Sequence, residues 1–364
     1  MRRGTRGLYI GILAILIVAG VAGLRFARGA GLWATITPLG GPCRTLPARP
    51  GPEDIVVDRE RGVAYVSSTD RRTWRRGGEA AAELRGAILR IDLRGPVEGW
   101  ALVEVSPPEP ASFLPHGIGL FVSGSGERSL FVVNHPPGAP DEVVIFDVDH
   151  EGRLRYRRSV ADPLLFRLND VQPVGRDRFY ATNDHGKGLP AVLQDGLRLD
   201  RANLVYFDGR RARIAAEGLS YANGVNLSRD GRELYVAETT DRDLRVYDRD
   251  PESGELGLAT VVPVGMGADN IDVQEDGDLL VGGHPKLLDF LRHARDPSAP
   301  SPSQVVRVSR KPDGSFRVRT VFMDDGRRIS GVAVAAGRGD TMLLGPVFQP
   351  KILVCGDDRG RRGS

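Results

Sequence analysis

Two acid–amide pairs stand fourteen residues apart in RLNDVQPVGRDRFYATNDHG, residues 167–186: Asn169-Asp170 and Asn183-Asp184. Each sits at the boundary of an apolar run, although Asn and Asp are poor strand formers. The same chemistry recurs at Glu53-Asp54, His116, Asn223 and Asp269-Asn270. Four carboxylates held close (Glu53, Asp54, Asp170, Asp269) repel one another and resist ionisation unless something neutralises them. Carboxylate and amide oxygens without Cys suit a hard cation. Calcium takes six to eight oxygens at about 2.3–2.6 Å and tolerates irregular geometry. Zinc would ask for His or Cys at close spacing, a pattern this chain lacks. One such pair alone is ordinarily an Asx turn at a strand end; recurrence in phase is what favours a metal.

The phase comes from a repeat. EDIVVDRERGVAYVSS begins at Glu53, HGIGLFVSGSGERSLFVVNH at His116, NDVQPVGRDRFYATNDH at Asn169, NGVNLSRDGRELYVAET at Asn223, DNIDVQEDGDLLVGGHP at Asp269 and SGVAVAAGRGDTMLLGPV at Ser330. Each unit has a polar opening, an alternating apolar strand, a Gly/Asp turn and a second apolar strand. Further hairpins such as AILRIDLRG and VVRVSRKPDGSFRV lie between them. About four strands per period and six periods of roughly 40–60 residues predict an all-β, six-bladed propeller with four-stranded blades. The innermost strands of a propeller all run the same way along the central channel. Residues that open them, distant in sequence, therefore converge at one mouth.

The histidines divide by place. His116 opens an inner strand and is expected over the channel mouth. His135, His185 and His284 end the following strands of their blades, while His150 and His293 lie in polar contexts and are expected in solvent. Beside a metal, a His can serve as a base near neutral pH. No G-x-S-x-G elbow or P-loop competes.

Arg2, Arg3 and Arg6 precede LYIGILAILIVAGVAGL, an uncharged run over residues 8–24, and Arg25 and Arg28 follow it. Such a run is at the short limit for a span. Residues 1–28 read as a transmembrane signal-anchor with the body exported, periplasmic or extracellular. A cleaved signal that releases a secreted protein and a buried helix are the alternatives. Residues 29–41 would be a tether, 42–357 the propeller and 358–364 a disordered tail. Cys43 and Cys355 flank the propeller. In an oxidising compartment they suggest a disulfide that fastens the ring where its termini meet; two unrelated thiols are the alternative. The net charge of +3 is spread thinly, with no basic run beyond the N-terminus, so nothing points to nucleic acid.

The motifs PEDI, PHGIGLF, LFVVNHP, LNDVQPVG, FYATNDH, ANGVNLS, LYVAE, DNIDV and GGHP, in that order across residues 40–356, resemble the paraoxonases, calcium-dependent lactonases and arylesterases built on a six-bladed propeller. The wider gluconolactonase-like and strictosidine-synthase-like propellers are similar more loosely. The paraoxonase resemblance implies two calcium ions. A catalytic ion would be held by Glu53, Asn169, Asn223, Asp269 and Asn270, and a deeper structural ion by Asp54, Asp170 and the Ile118 carbonyl. It also implies water activation by His116 and His135, pocket positions at Asp184 and His284, and a closing disulfide between Cys43 and Cys355. Tyr221, Val347 and Phe348 stand beside these positions and are expected to line the pocket. Gly283 departs from the family, whose members often carry a cysteine there. The stretches at 69–87, rich in Arg, and at 286–300 differ from the family's loops and are expected to set substrate choice.

Three functions follow as expectations. The first is hydrolysis of lactones or aryl esters, with His116 or a carboxylate such as Glu53 as the base. The second is a sugar lactonase of the gluconolactonase-like class. The third is a membrane-tethered, non-enzymatic calcium-binding propeller.

Overall fold

The computed structural model describes residues 2–356; the tail expected at 358–364 lies outside the described residues. Six four-stranded antiparallel sheets form, matching the six sequence units. Their inner strands are Pro52–Asp58, Pro115–Val122, Leu168–Pro173, Ala222–Leu227, Gly267–Val273 and Val332–Arg338. Most residues of these strands are buried. Adjacent sheets pack face to face, as where Val63, Tyr65 and Ile88 of the first blade meet Ile118, Val132 and Phe146 of the second. Apolar β-branched and aromatic side chains at alternating positions supply that interface.

The ring closes as expected. Cys43–Pro47, from the N-terminal side, adds a fourth strand to the last blade by pairing with Lys351–Gly356. Cys43 and Cys355 face each other in that ladder and are joined by a disulfide.

Among the described residues five α-helices decorate the ring: α1 (Arg2–Gly29), α2 (Arg71–Arg76), α3 (Glu79–Ala82), α4 (Ala191–Leu197) and α5 (Leu287–Arg295). Four of them sit in connections between the second and third strands of the first, third and fifth blades. The stretches at 69–87 and 286–300 are therefore helical in part. N-terminal α1 extends beyond the apolar run, and among the described residues no helix is long and apolar enough to cross a membrane. The end of α1 meets the propeller: the Arg25 carbonyl accepts a bond from Arg198, the Gly29 carbonyl from Arg242, and the Ala30 carbonyl from the Leu287 N–H. Leu39 bridges Met323 further on.

Candidate active site at the channel mouth

One backbone event builds the site. In all six inner strands the ladder slips at the same height: between Pro52 and Asp54, Pro115 and Ile118, Leu168 and Val171, Ala222 and Val225, Ala268 and Ile271, and Val332 and Val334. A bulge re-aims the side chains of the residues it contains. Five of the six hold Glu53, His116, Asn169-Asp170, Asn223 and Asp269-Asn270. Close approach of neighbouring strands is needed as well. A Cβ on Gly117 would lie 2.4 Å from the Asp170 Cα, and one on Gly224 2.7 Å from the Asn270 Cα. Only glycine fits after His116 and Asn223.

Above the bulges is a cavity of about 630 Å³. Its wall includes Glu53, His116, His135, Asn169, Asn223 and Asp269, with Asp184, Tyr221, His284 and Val347. Asn270 lies just behind, its Nδ2 donating to Glu53 Oε1 at 3.1 Å. Phe348 does not reach this wall; it packs behind Phe290, ring centroids 5.6 Å apart. Asp54, Asp170 and Ile118 line a separate cavity of about 230 Å³ on the far side of the channel. The sequence pairs thus split between two levels.

The donors at the upper level fit a hard cation. The Oδ1 atoms of Asn169, Asn223 and Asn270 are all buried and accept no hydrogen bond. An unmet buried acceptor costs about 1–3 kcal/mol, so three beside two carboxylates form a donor set that calls for a cation. Among the described residues no three His, Cys, Asp or Glu side chains form a metal-binding group; amides make up the set instead. At the lower level Asp54 accepts from the Ile55 and Ile118 N–H groups at 2.8 and 2.7 Å. Asp170 accepts from Val171 and Val225, both at 2.7 Å. Ile118 therefore meets Asp54 through its N–H. Burial, with Asp170 and Glu53 nearby, holds the Asp54 carboxyl well above its ordinary range, and Asp170 is raised likewise, chiefly by burial. Both would ionise more readily beside a cation.

A chain of side chains leads into the upper cavity. Asp141 Oδ1 meets His135 Nδ1 at 2.8 Å, His135 Nε2 meets His116 Nδ1 at 2.9 Å, and His116 Nε2 lies 3.7 Å from Glu53 Oε2. Trp74 stacks on the His135 ring, centroids 5.0 Å apart. Burial, and then the Arg71 guanidinium, push His116 down to about 4. Burial opposes the charge on Glu53, but His116 and Arg71 outweigh it and hold that carboxyl down, at about 2. Arg71 Nη2 donates to Glu53 Oε2 at 2.9 Å. On the opposite wall, His284 Nε2 bonds Asp269 Oδ2 at 2.9 Å while its ring stacks on Phe290 at 3.8 Å. His185 sits between Asp184 and Asp195, 2.8 Å from each. Tyr221 packs against it in a left-handed conformation with φ 57°, the kind of backbone strain that collects at functional sites.

Sequence reasoning did not find Arg71, Trp74, Asp141 or Asp195. Asp141 alone carried a signal, an acid a few residues beyond a strand-ending His. The expectation that His293 lies in solvent is corrected. It is buried on α5, bonding the Ala299 carbonyl through Nδ1 and Arg72 through Nε2. His150 is exposed as expected.

The fold and site together define a β-propeller with a polar, amide-rich channel mouth. The arylesterase family matches residues 80–356. Serum paraoxonase/arylesterase 2 of Rattus norvegicus is 32% identical over 279 residues, 76% of this chain and 78% of the relative. Serum paraoxonase/lactonase 3 of Homo sapiens is 29% identical over 310 residues, 84% and 85% of the two chains. Among solved structures, a luciferin-regenerating enzyme superposes with a TM-score of 0.54 over 86% of this chain and 96% of its own, at 13% identity, a likeness of fold alone. This chain belongs to the arylesterase family. The family match begins after Glu53, Asp54 and α2, so those residues are placed by geometry.

Proposed function

We infer that the protein is a carboxylic ester hydrolase that opens lactones or cleaves aryl esters at the upper cavity. Membership of the arylesterase family supports the reaction class. The Asp141–His135–His116 chain supports the site, because it ends on a nitrogen free to take a proton.

The hydrogen bonds select one arrangement of protons. His135 Nδ1–H donates to Asp141 and His116 Nδ1–H donates to His135 Nε2, leaving the His116 Nε2 lone pair toward the cavity. As water attacks the carbonyl carbon, His116 Nε2 takes its proton and passes the Nδ1 proton to His135. Asp141 stabilises the imidazolium so formed. The acyl C–O bond then breaks, and the leaving oxygen recovers a proton. Calcium, when held by Glu53, Asn169, Asn223, Asp269 and Asn270, supplies charge that polarises the carbonyl and stabilises the oxyanion. Asp54 and Asp170, with Ile118, would hold a second ion below. Trp74, Phe166, Leu168, Phe290 and Val347 furnish the apolar wall.

The sugar-lactonase alternative rests on fold alone. The non-enzymatic alternative leaves a cavity of this size, with a histidine chain directed into it, unexplained. For the N-terminus we propose that α1 tethers the exported propeller to a membrane. Its uncharged run and the exposed Leu13, Leu16 and Ile17 support this reading, and the Cys43–Cys355 disulfide suits an oxidising compartment.

The test is turnover of phenyl acetate and a panel of γ- and δ-lactones, with and without chelator, alongside calcium titration by calorimetry. Hydrolysis that chelation abolishes and calcium restores is expected, with binding lost in Asn223→Ala. Calcium binding without turnover of any substrate would leave only the non-enzymatic reading.

A further inference from the structure

Helix α2 reads RRTWRR, so four of its six residues are arginines. Among the described residues its charge has little acid to meet. Arg71, a residue of the upper cavity wall, pairs with Glu53, yet its Nε and Nη1 are buried and have no hydrogen-bond partner. Arg72 turns away to His293. Asp70, the nearest acid in sequence, caps the helix through the Arg72 and Thr73 N–H groups. Arg75 and Arg76 make no ion pair among the described residues, and neither does Arg295 on α5.

Four of these arginines border a second cavity, of about 530 Å³. Its wall is Arg72, Arg75, Arg76 and Arg295 with Leu291, Ala294 and Pro297, and no carboxylate. Arg75 and Leu291 also line the upper cavity, so these two side chains stand between the two spaces. Arg75 and Arg71 are one helical turn apart, on the same face; burial, and then the Arg75 guanidinium, disfavour charge on Arg71. The Phe348 ring, 4.6 Å from the Arg72 guanidinium and 5.6 Å from that of Arg75, holds both in place.

We propose that this arginine trough is a subsite for an anionic group on the substrate. Resting on the hydrolase reading, it names the substrate class: esters or lactones whose non-reacting part carries a carboxylate or phosphate. The reacting carbonyl lies in the upper cavity. The anionic group lies past Arg75, among Arg75, Arg76 and Arg295, with the Arg71 charge one helical turn behind on the inner side. Arginine suits this task because its planar fork binds such groups bidentately and stays charged.

The test compares the phenyl ester of glutaric acid, its far carboxyl free, with the same ester methyl-capped. The free acid is expected to have a kcat/KM at least about ten-fold higher, as for a charge-assisted contact, and added salt narrows the gap. Arg75→Met should lower the acid-to-capped ratio about ten-fold, and Arg75→Lys should keep part of it. A wild-type ratio at or below one, or an equal fall for both esters in Arg75→Met, overturns the proposal. If neither ester is hydrolysed, the hydrolase reading fails, and calorimetry with the non-hydrolysable anilide of glutaric acid decides the subsite. Binding weakened about ten-fold by Arg75→Met supports it, and absence of binding overturns it. If Arg75→Met spares the ester ratio but weakens sedimentation with phosphatidylglycerol vesicles, the trough is a lipid contact and the proposal falls.

Discussion

At the lower level of the channel, Asp54 and Asp170 commit all four carboxylate oxygens to backbone N–H groups, and two of those bonds cross to the next blade, at Ile118 and Val225. At the upper level, the amide oxygens of Asn169, next to Asp170 in the chain, and of Asn223 and Asn270 meet no donor. Both levels hold carboxylates and both are buried, so neither charge nor depth alone separates them. What separates them is whether the backbone already satisfies the side chain. A satisfied polar group belongs to the frame and is felt in stability. An unsatisfied one is held ready for a ligand and is felt in binding and turnover. The bulges make the split, since they let neighbouring residues of one strand face opposite ends of the channel.

The strongest test of this contrast sets Asp170→Ala against Asn223→Ala. The first leaves the Val171 and Val225 N–H groups buried without acceptors, at about 1–3 kcal/mol each, and cuts a tie between the third and fourth blades. A fall in melting temperature of roughly 10 °C is expected. Asn223→Ala removes an oxygen that no protein group uses, and loses only the bond from Nδ2 to Thr239. It should cost under about 1 kcal/mol in stability while abolishing most turnover and loosening calcium. Equal thermal losses in the two variants would erase the distinction.

His116→Gln is expected to lower kcat by about two to four orders of magnitude with little change in unfolding midpoint. The acid limb sharpens the point. A base must be neutral to accept a proton. Burial and Arg71 bring His116 to about 4, so it is neutral through most of the working range. Activity should decline only as pH falls toward about 4, well below the ordinary histidine value of about 6.5. An unchanged kcat in His116→Gln would move the base to a carboxylate, Glu53 first.

The blades, the ring closure and the convergence of the polar residues on the channel were legible in the chain because they rest on local chemistry. Gly/Asp turns at even spacing mark hairpins, and a polar pair at the head of each apolar run marks the inner strands. The bulges were not legible, since a slip in register exists only relative to a partner strand. Nor was the place of α2. The stretch at 69–87 is expected to set substrate choice, but only the folded chain directs Arg71 onto Glu53. His293 misled for a related reason. Its neighbours Arg292 and Arg295 are polar, but α5 turns the ring inward onto the Ala299 carbonyl and beneath Arg72.

His185 gives the smallest and most discriminating prediction, because it sits at the upper level yet is fully satisfied. Both ring nitrogens meet carboxylates, Asp184 and Asp195. Burial opposes its charge, but those two bonds outweigh it and raise the imidazolium to about 9. The folded value is above the unfolded value of about 6.5, so the stabilisation is complete below that pH and fades as pH rises through 9. With Asp195 partly exposed and screened, this amounts to about 2 kcal/mol at neutral pH. His185→Gln should therefore be less stable than the parent in urea at pH 6 and match it near pH 10, calcium being held constant. Its kcat for phenyl acetate should fall less than ten-fold, since His185 takes no part in the proton chain. A deficit of the same size at both pH values, or a loss of turnover rivalling that of His116→Gln, would mean that satisfaction by protein partners does not distinguish frame from machinery at this mouth.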